Sequence, residues 1–345
     1  MPVFIKALGG VREQHRENIS APMEKMTLNR DRNSFFLAHS TVYFMMWEMN
    51  KKIGLGIIVF FCLCLFGSAF LTVESPSSAG MKATRYDDSP VENPDGKMLP
   101  HKALYEISMV SSSNGSQIIN ISGNMYFEWK PTCDAWVTDH RFNLTYEYSD
   151  SPAMRVTSDF STWESRDGQT FNFSSRRSRD GDLYEEIRGQ ATRNKDGTGK
   201  AVYTMPTPME FDLPKDFVFP MQHTLQLSRA IGEKNVRFMN RTLFDGSDMD
   251  GPIEVNAFIG KEANAIARIE TSPQIDIGLL NGAAKDVQMA FFPLMDEEVF
   301  VADYEMDALF HENSVISDMY IDYNEFSIRQ KLVALEKLDV KPVCK

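Results

Sequence analysis

Few residues in this chain have types and spacings suited to chemistry, and the two cysteines far from the N-terminus, Cys133 and Cys344, come first. In an oxidising compartment two thiols pair and persist, so a disulfide between them is the simplest expectation. The chain has no Cys-x-x-Cys pair of the kind that tunes a reactive thiolate, so the bond reads as structural. Closing a loop over the 211 positions between them stabilises by about 5 kcal/mol in the chain-entropy picture. His101, His140, His223 and His311 show no metal-ligand spacing and no His-Glu-x-x-His element, and no Gly-x-Ser-x-Gly elbow occurs. The acidic run from Phe244 to Gly251 lacks the register and terminal Glu of a calcium loop. No catalytic residue, metal or cofactor is therefore expected. Arg176, Arg177 and Arg179 form a basic cluster, read either as a solvated hairpin end or as a contact for an anionic head group. Trp129, Trp136 and Trp163 are read as groove residues or as core packing.

The elements that must position these residues are strands. Ile121, Met125, Phe127 and Trp129 alternate with Ser122, Asn124 and Glu128, and Phe142, Leu144, Tyr146 and Tyr148 alternate with Asn143, Thr145 and Glu147. Further strand-like runs fall at Ala201–Met205, Val236–Phe244, Ile253–Ile259, Ile266–Thr271, Val287–Phe292, Val299–Tyr304 and Val315–Tyr323. Turn signals lie at Asp167-Gly168, Asp180-Gly181, Asp196-Gly197, Asp245-Gly246 and Asp250-Gly251. This spacing predicts an all-β domain, one antiparallel sheet curled on itself, with one or two short helices. The first helix follows Pro220 and stops at Gly232, and a second is expected over Phe326–Leu338. Laid over a curved sheet, such a helix is read as a core plug, with a mobile lid as the rival.

Ile53–Phe66 is an uninterrupted apolar run behind Lys51 and Lys52, followed by Gly67, Ser68 and Ala69. That order is a secretory signal, and run on to Val73 it is about long enough for an uncleaved signal anchor. The expected organisation is residues 1–48 as a start-site artefact or cytoplasmic tail, 49–69 as signal peptide or anchor, 70–100 as a flexible linker, and 101–345 as the periplasmic domain. Met49 offers a start that leads straight into the signal. Membrane contact is expected only through an uncleaved signal. The chain carries 36 basic and 48 acidic residues, a net charge of -12. Such a charge repels phosphate backbones, so nucleic acid is not an expected partner.

Several short motifs recur in a characteristic order: Cys133-Asp134-Ala135-Trp136; Ser161-Thr162-Trp163-Glu164-Ser165 with Asp167-Gly168; and Phe171-Asn172-Phe173. They continue with Glu186-Ile187-Arg188-Gly189-Gln190-Ala191, Leu213-Pro214-Lys215-Asp216-Phe217-Val218-Phe219-Pro220 leading to His223-Thr224, Phe244-Asp245-Gly246, and Asp322-Tyr323 through to Cys344. From about His101 onward the chain resembles the EipB family of alphaproteobacterial cell-envelope integrity proteins. The resemblance implies a periplasmic β-spiral or half-open barrel, with a disulfide carried over onto Cys133 and Cys344. Ala135 departs from the family, which often has Gly between Asp and Trp. The expected function is a non-enzymatic factor that maintains the cell envelope by binding an envelope protein or lipid. The alternatives are a carrier for a lipid or lipoprotein acyl chain and, last, an envelope hydrolase.

Overall fold

Fourteen strands join into one antiparallel sheet in the order β8-β7-β6-β5-β4-β3-β2-β1-β14-β13-β12-β11-β10-β9. The computed structural model describes residues 98–294 and 301–340, so the signal run, most of the linker and Cys344 lie outside the described residues. The first half is a meander of β1 (His101–Ser112), β2 (Ile118–Pro131), β3 (Ala135–Tyr148), β4 (Met154–Ser165), β5 (Thr170–Arg179), β6 (Asp182–Arg193), β7 (Gly199–Met205) and β8 (Met209–Leu213). A helix, α1 (Pro220–Gly232), then leads to the second meander. It comprises β9 (Phe238–Leu243), β10 (Ile253–Glu262), β11 (Ala284–Pro293), β12 (Tyr304–His311), β13 (Ile316–Asp322) and β14 (Phe326–Lys337). The halves meet in the middle of the sheet, where β1 pairs with β14 from His101↔Lys337 to Ser112↔Phe326.

The two outer edges, β8 and β9, do not pair with each other. Val218, just past β8, makes a single parallel bridge to Leu243 of β9, so the sheet curls to near closure and stops. About eight strands make a barrel that side chains alone can fill, and a fourteen-stranded curl encloses more space than that. Helix α1 occupies it. Ten of its thirteen residues are buried, including the polar His223, Thr224, Gln226 and Ser228, so α1 is a plug with core on nearly every side. The strands alternate inward and outward as the sequence predicts: on β3, Trp136, Thr138, His140, Phe142, Leu144 and Tyr146 are buried. Each fully buried Ile or Phe on these inner faces stabilises by about 1.5–3 kcal/mol.

Three expectations are corrected. Phe326–Leu338 is a strand: β14 is paired on both sides, to β1 and to β13, and buries Phe326, Ile328, Gln330 and Leu332 with period two. Its leucines and lysines suit a helix locally, but two flanking ladders outweigh that weak preference. Ile266–Thr271 is a turn segment. The chain there crosses the outer face of the sheet, with Ala263 and Ala265 packed on Ala284 and Leu309 and the Arg268 N–H bonded to the Ala265 carbonyl. Of the expected run Val299–Tyr304, residues 299–300 lie outside the described residues, 301–303 are a bend ahead of the strand, and Tyr304 opens β12, which runs on to His311.

Candidate functional site

The densest polar constellation lies inside the spiral, at the start of α1. Phe219 occupies the N-cap position and has no side-chain oxygen to offer, so the first amides of the helix need an acceptor from elsewhere. Glu164 of β4 supplies it. Its Oε2 accepts the Met221 N–H at 2.7 Å and its Oε1 the Gln222 N–H at 2.9 Å. A carboxylate at a helix N-terminus is also favoured by the macrodipole. The side chain is fully buried, which pushes its carboxyl up to about 8 against the pull of the two amides and of Arg193.

Arg193 completes the attachment. Its guanidinium donates to the carbonyls of Phe217 (2.7 Å) and Gly168 (3.1 Å) and lies 4.1 Å from the centre of the Phe217 ring. The Asp167-Gly168 turn is tied by Ser165, whose hydroxyl donates to Asp167 and accepts the amides of Gln169 and Thr170. Gly168 has φ +65°, the left-handed region that favours glycine, and a Cβ there would displace the Gln222 amide that lies over the turn. Beyond the helix start, Phe171, Phe173, Phe219, Phe244 and Tyr203 pack with ring centroids 5.1–6.4 Å apart. Gly189 and Gly246 make room for Phe173, whose ring atoms would lie 2.4 and 2.5 Å from a Cβ at those positions.

The interior holds no substrate-sized space at this point. The cavity between Trp129, His140, Met221 and Phe310 measures about 10 Å³, the size of one water. Thr138 and Thr162 share a hydrogen bond of 2.6 Å between their hydroxyls on the same inner face. The four histidines among the described residues are buried, and desolvation lowers His101 to about 4, His223 to about 3 and His311 to about 4, with His140 well below its usual value. They are neutral core imidazoles. His101 Nδ1 lies 2.8 Å from the Leu99 carbonyl, to which its N–H tautomer donates, and 3.1 Å from the Trp129 indole nitrogen, from which the other tautomer accepts, and His311 Nε2 meets Ser317 at 2.9 Å. Among the described residues, no group of three or more His, Cys, Asp or Glu side chains converges to hold a metal.

The residues singled out from sequence are distributed as follows. Trp129 and Trp136 are buried with rings 5.8 Å apart, and Arg166 lies 4.5 Å over Trp136, while Trp163 is half-buried on the opposite face. The arginines split between faces. Arg176 is exposed, Arg177 turns inward to pair with Glu185 and donate to the Ser247 carbonyl, and Arg179 lies 5.0 Å from the Tyr184 ring. They do not form one surface cluster. Cys133 is exposed in the bend between β2 and β3, and its expected partner Cys344 lies outside the described residues. The role of Glu164 was missed; its signal was parity, since it shares the inward phase of Phe160 and Thr162.

On the outer face of β10–β14 two cavities open, of about 640 and 250 Å³, bordered by the crossing segment around Arg268. Among the described residues no helix is long and apolar enough to cross a membrane.

Comparison with known proteins agrees with this architecture. The crystal structure of a beta-barrel-like protein of a domain of unknown function from Brucella abortus superposes with a TM-score of 0.63 at 25% identity, covering 70% of this chain and 99% of the other. The cell envelope integrity protein EipB of Brucella abortus (strain 2308) is 28% identical over 250 residues, 70% of this chain and 85% of the relative. The EipB-like family profile matches residues 93–339, and the chain belongs to the EipB-like family.

Proposed function

We propose that this protein maintains the integrity of the bacterial cell envelope as a non-enzymatic periplasmic factor that binds an envelope component on its outer surface. The observation that carries the reading is the filled interior: α1 plugs the spiral and leaves a cavity of about 10 Å³, while the larger concavities open outward. Among the described residues the cavity beside α1 has no room for an acyl chain, which argues against the carrier reading. Glu164, whose carboxyl burial raises, is engaged by two helix amides and shielded from solvent, which argues against its use on a substrate. The envelope role is supported by the relative named for it. The periplasmic location is supported by Lys51, Lys52 and the apolar run Ile53–Phe66.

The proposed Cys133–Cys344 clasp suits the topology. Lys337 pairs with His101, and His101 with Trp129, so the end of β14 lies at the same end of the sheet as the Cys133 bend, about 10 Å away across two strands. Seven residues from Lys337 to Cys344 reach up to about 24 Å.

The test is deletion of the gene in the source bacterium and complementation with the full chain or with one lacking residues 49–69, reading survival in detergent. Restoration by the full chain alone is expected, together with a mature N-terminus just after Ala69. Unchanged detergent survival on deletion would sink the proposal.

A further inference from the structure

The register of the second meander lines up one row of outward side chains across six strands: Phe238↔Phe258, Phe258↔Gln288, Gln288↔Asp307, Asp307↔Tyr320 and Tyr320↔Arg329. The row is about 24 Å long, and Phe258 to Tyr320 spans about 14 Å. All but Phe238 line the cavity of about 640 Å³ on this face, within the range of about 300–1,000 Å³ usual for ligand sites.

Two features coincide in this row. Phe238 and Phe258 are 44% and 59% exposed, with ring centroids 4.9 Å apart, an apolar pair left in water. Beside them the polar groups are unused. Gln288, Asp307 and Tyr320 have no hydrogen-bond or ion-pair partner among the described residues, and Arg329 grips Asp318 with Nε (3.0 Å) and Nη2 (2.5 Å), which leaves Nη1 to the groove. Some outward polar side chains in other rows pair across strands, as do Asn240 with Asn256 (2.7 Å), Gln190 with Asn172 (2.8 Å) and Ser161 with Asp139 (2.7 Å).

We infer that this row binds a neutral oligosaccharide, an uncharged chain of pyranose rings bearing hydroxyl or amide groups. The inference rests on the envelope-binding reading and names its ligand class. Charge selects against ions: Arg237, Arg268 and Arg329 are balanced in the groove by Asp286, Asp307 and Asp318, and the chain as a whole carries -12, which repels polyanions. Amide, carboxylate, phenol and guanidinium side by side offer both donors and acceptors, as hydroxyls that do both require. The flat rings of Phe238 and Phe258 at one end, and Tyr320 further along, suit the apolar C–H face of a sugar ring. A protein interface of comparable extent wants an apolar core with a polar rim, whereas here hydrogen-bonding groups occupy the centre and the apolar pair stands at one end.

The experiment titrates the full mature chain with chitotetraose, cellotetraose and a sulfated tetrasaccharide, following amide resonances and binding heat, for wild type, Phe258→Ala, Tyr320→Ala and Asp307→Asn. Saturable binding of at least one neutral tetrasaccharide with a Kd of about 1 mM or tighter is expected. Each substitution should weaken it about ten-fold, and the sulfated probe should not bind. Absence of neutral-sugar binding, binding unaffected by the three substitutions, or a preference for the sulfated probe overturns the inference. So does self-association that Phe258→Ala abolishes, since the aromatic pair would then be a protein contact. Detergent survival of cells carrying the variants separates the two readings. Full rescue by the wild-type chain without any sugar binding removes the oligosaccharide and leaves the envelope role; no rescue by the wild-type chain removes the envelope role itself.

Discussion

Replacing Glu164 by alanine tests whether a strand carboxyl holds the plug helix. The substitution removes the acceptors of the Met221 and Gln222 amides, at 2.7 and 2.9 Å, inside a site without solvent. Each buried N–H left unsatisfied costs about 1–3 kcal/mol, and the space vacated beneath the helix adds to that. A loss of about 4 kcal/mol is expected at pH 5, read as a lower urea midpoint by the fluorescence of buried Trp129 and Trp136. The sign with pH follows from burial. The carboxyl is raised to about 8 in the folded protein from 4.5. Its contribution is therefore full below pH 4.5 and is lost as pH rises through 8. The stability gap between wild type and Glu164→Ala should accordingly narrow between pH 5 and pH 9. A gap that widens over this range would refute the burial argument, because the amides and Arg193 would then hold the group ionised. A gap below about 1 kcal/mol at every pH would refute the capping role itself.

Three further outcomes are expected. His101, His223 and His311 are lowered to about 4, 3 and 4 from 6.5, so the unfolded chain takes up their protons first. Their stabilisation, full above pH 6.5, is lost as pH falls toward 4, and His223→Leu should flatten the fall in urea midpoint between pH 7 and pH 5. Gly189→Ala should destabilise by about 3 kcal/mol or more, since its Cβ would meet the Phe173 ring at 2.4 Å and the Val202 carbonyl at 2.6 Å; thermal unfolding indistinguishable from wild type would contradict that packing. Cys133→Ser should lower stability by up to about 5 kcal/mol and expose one alkylatable thiol in the denatured mature protein, whereas wild type should expose none without reductant. Thiol labelling of unreduced wild type would end the clasp reading.

The sequence makes legible what depends on neighbours along the chain. Period two in Ile121–Trp129 and Phe142–Tyr148 marked β2 and β3, and Pro220 and Gly232 marked both ends of α1. It hides what depends on partners across the sheet. Leu332, Val333, Ala334 and Leu335 form an unbroken apolar run within charges spaced as on a helix, and only the ladders to β1 and β13 make it a strand. Glu164 and Arg177 look like any solvated charges until strand parity sets them with Phe160 and Phe173 on the inner face. The same division governs function. Most of the motifs that carry the family resemblance, Trp163-Glu164-Ser165, Asp167-Gly168, Phe171-Asn172-Phe173, Gly189, Phe217 to Pro220 and Phe244-Asp245-Gly246, gather around the plug helix and its aromatic packing, while Cys133 to Trp136 and the segment from Asp322 lie elsewhere. They specify how the spiral is locked and carry little about what it touches. The row from Phe238 to Arg329 draws on six strands over 91 positions and has no local motif at all. Differences in the proposed ligand within the family should therefore be sought on that outer face, where side chains can change without disturbing the lock.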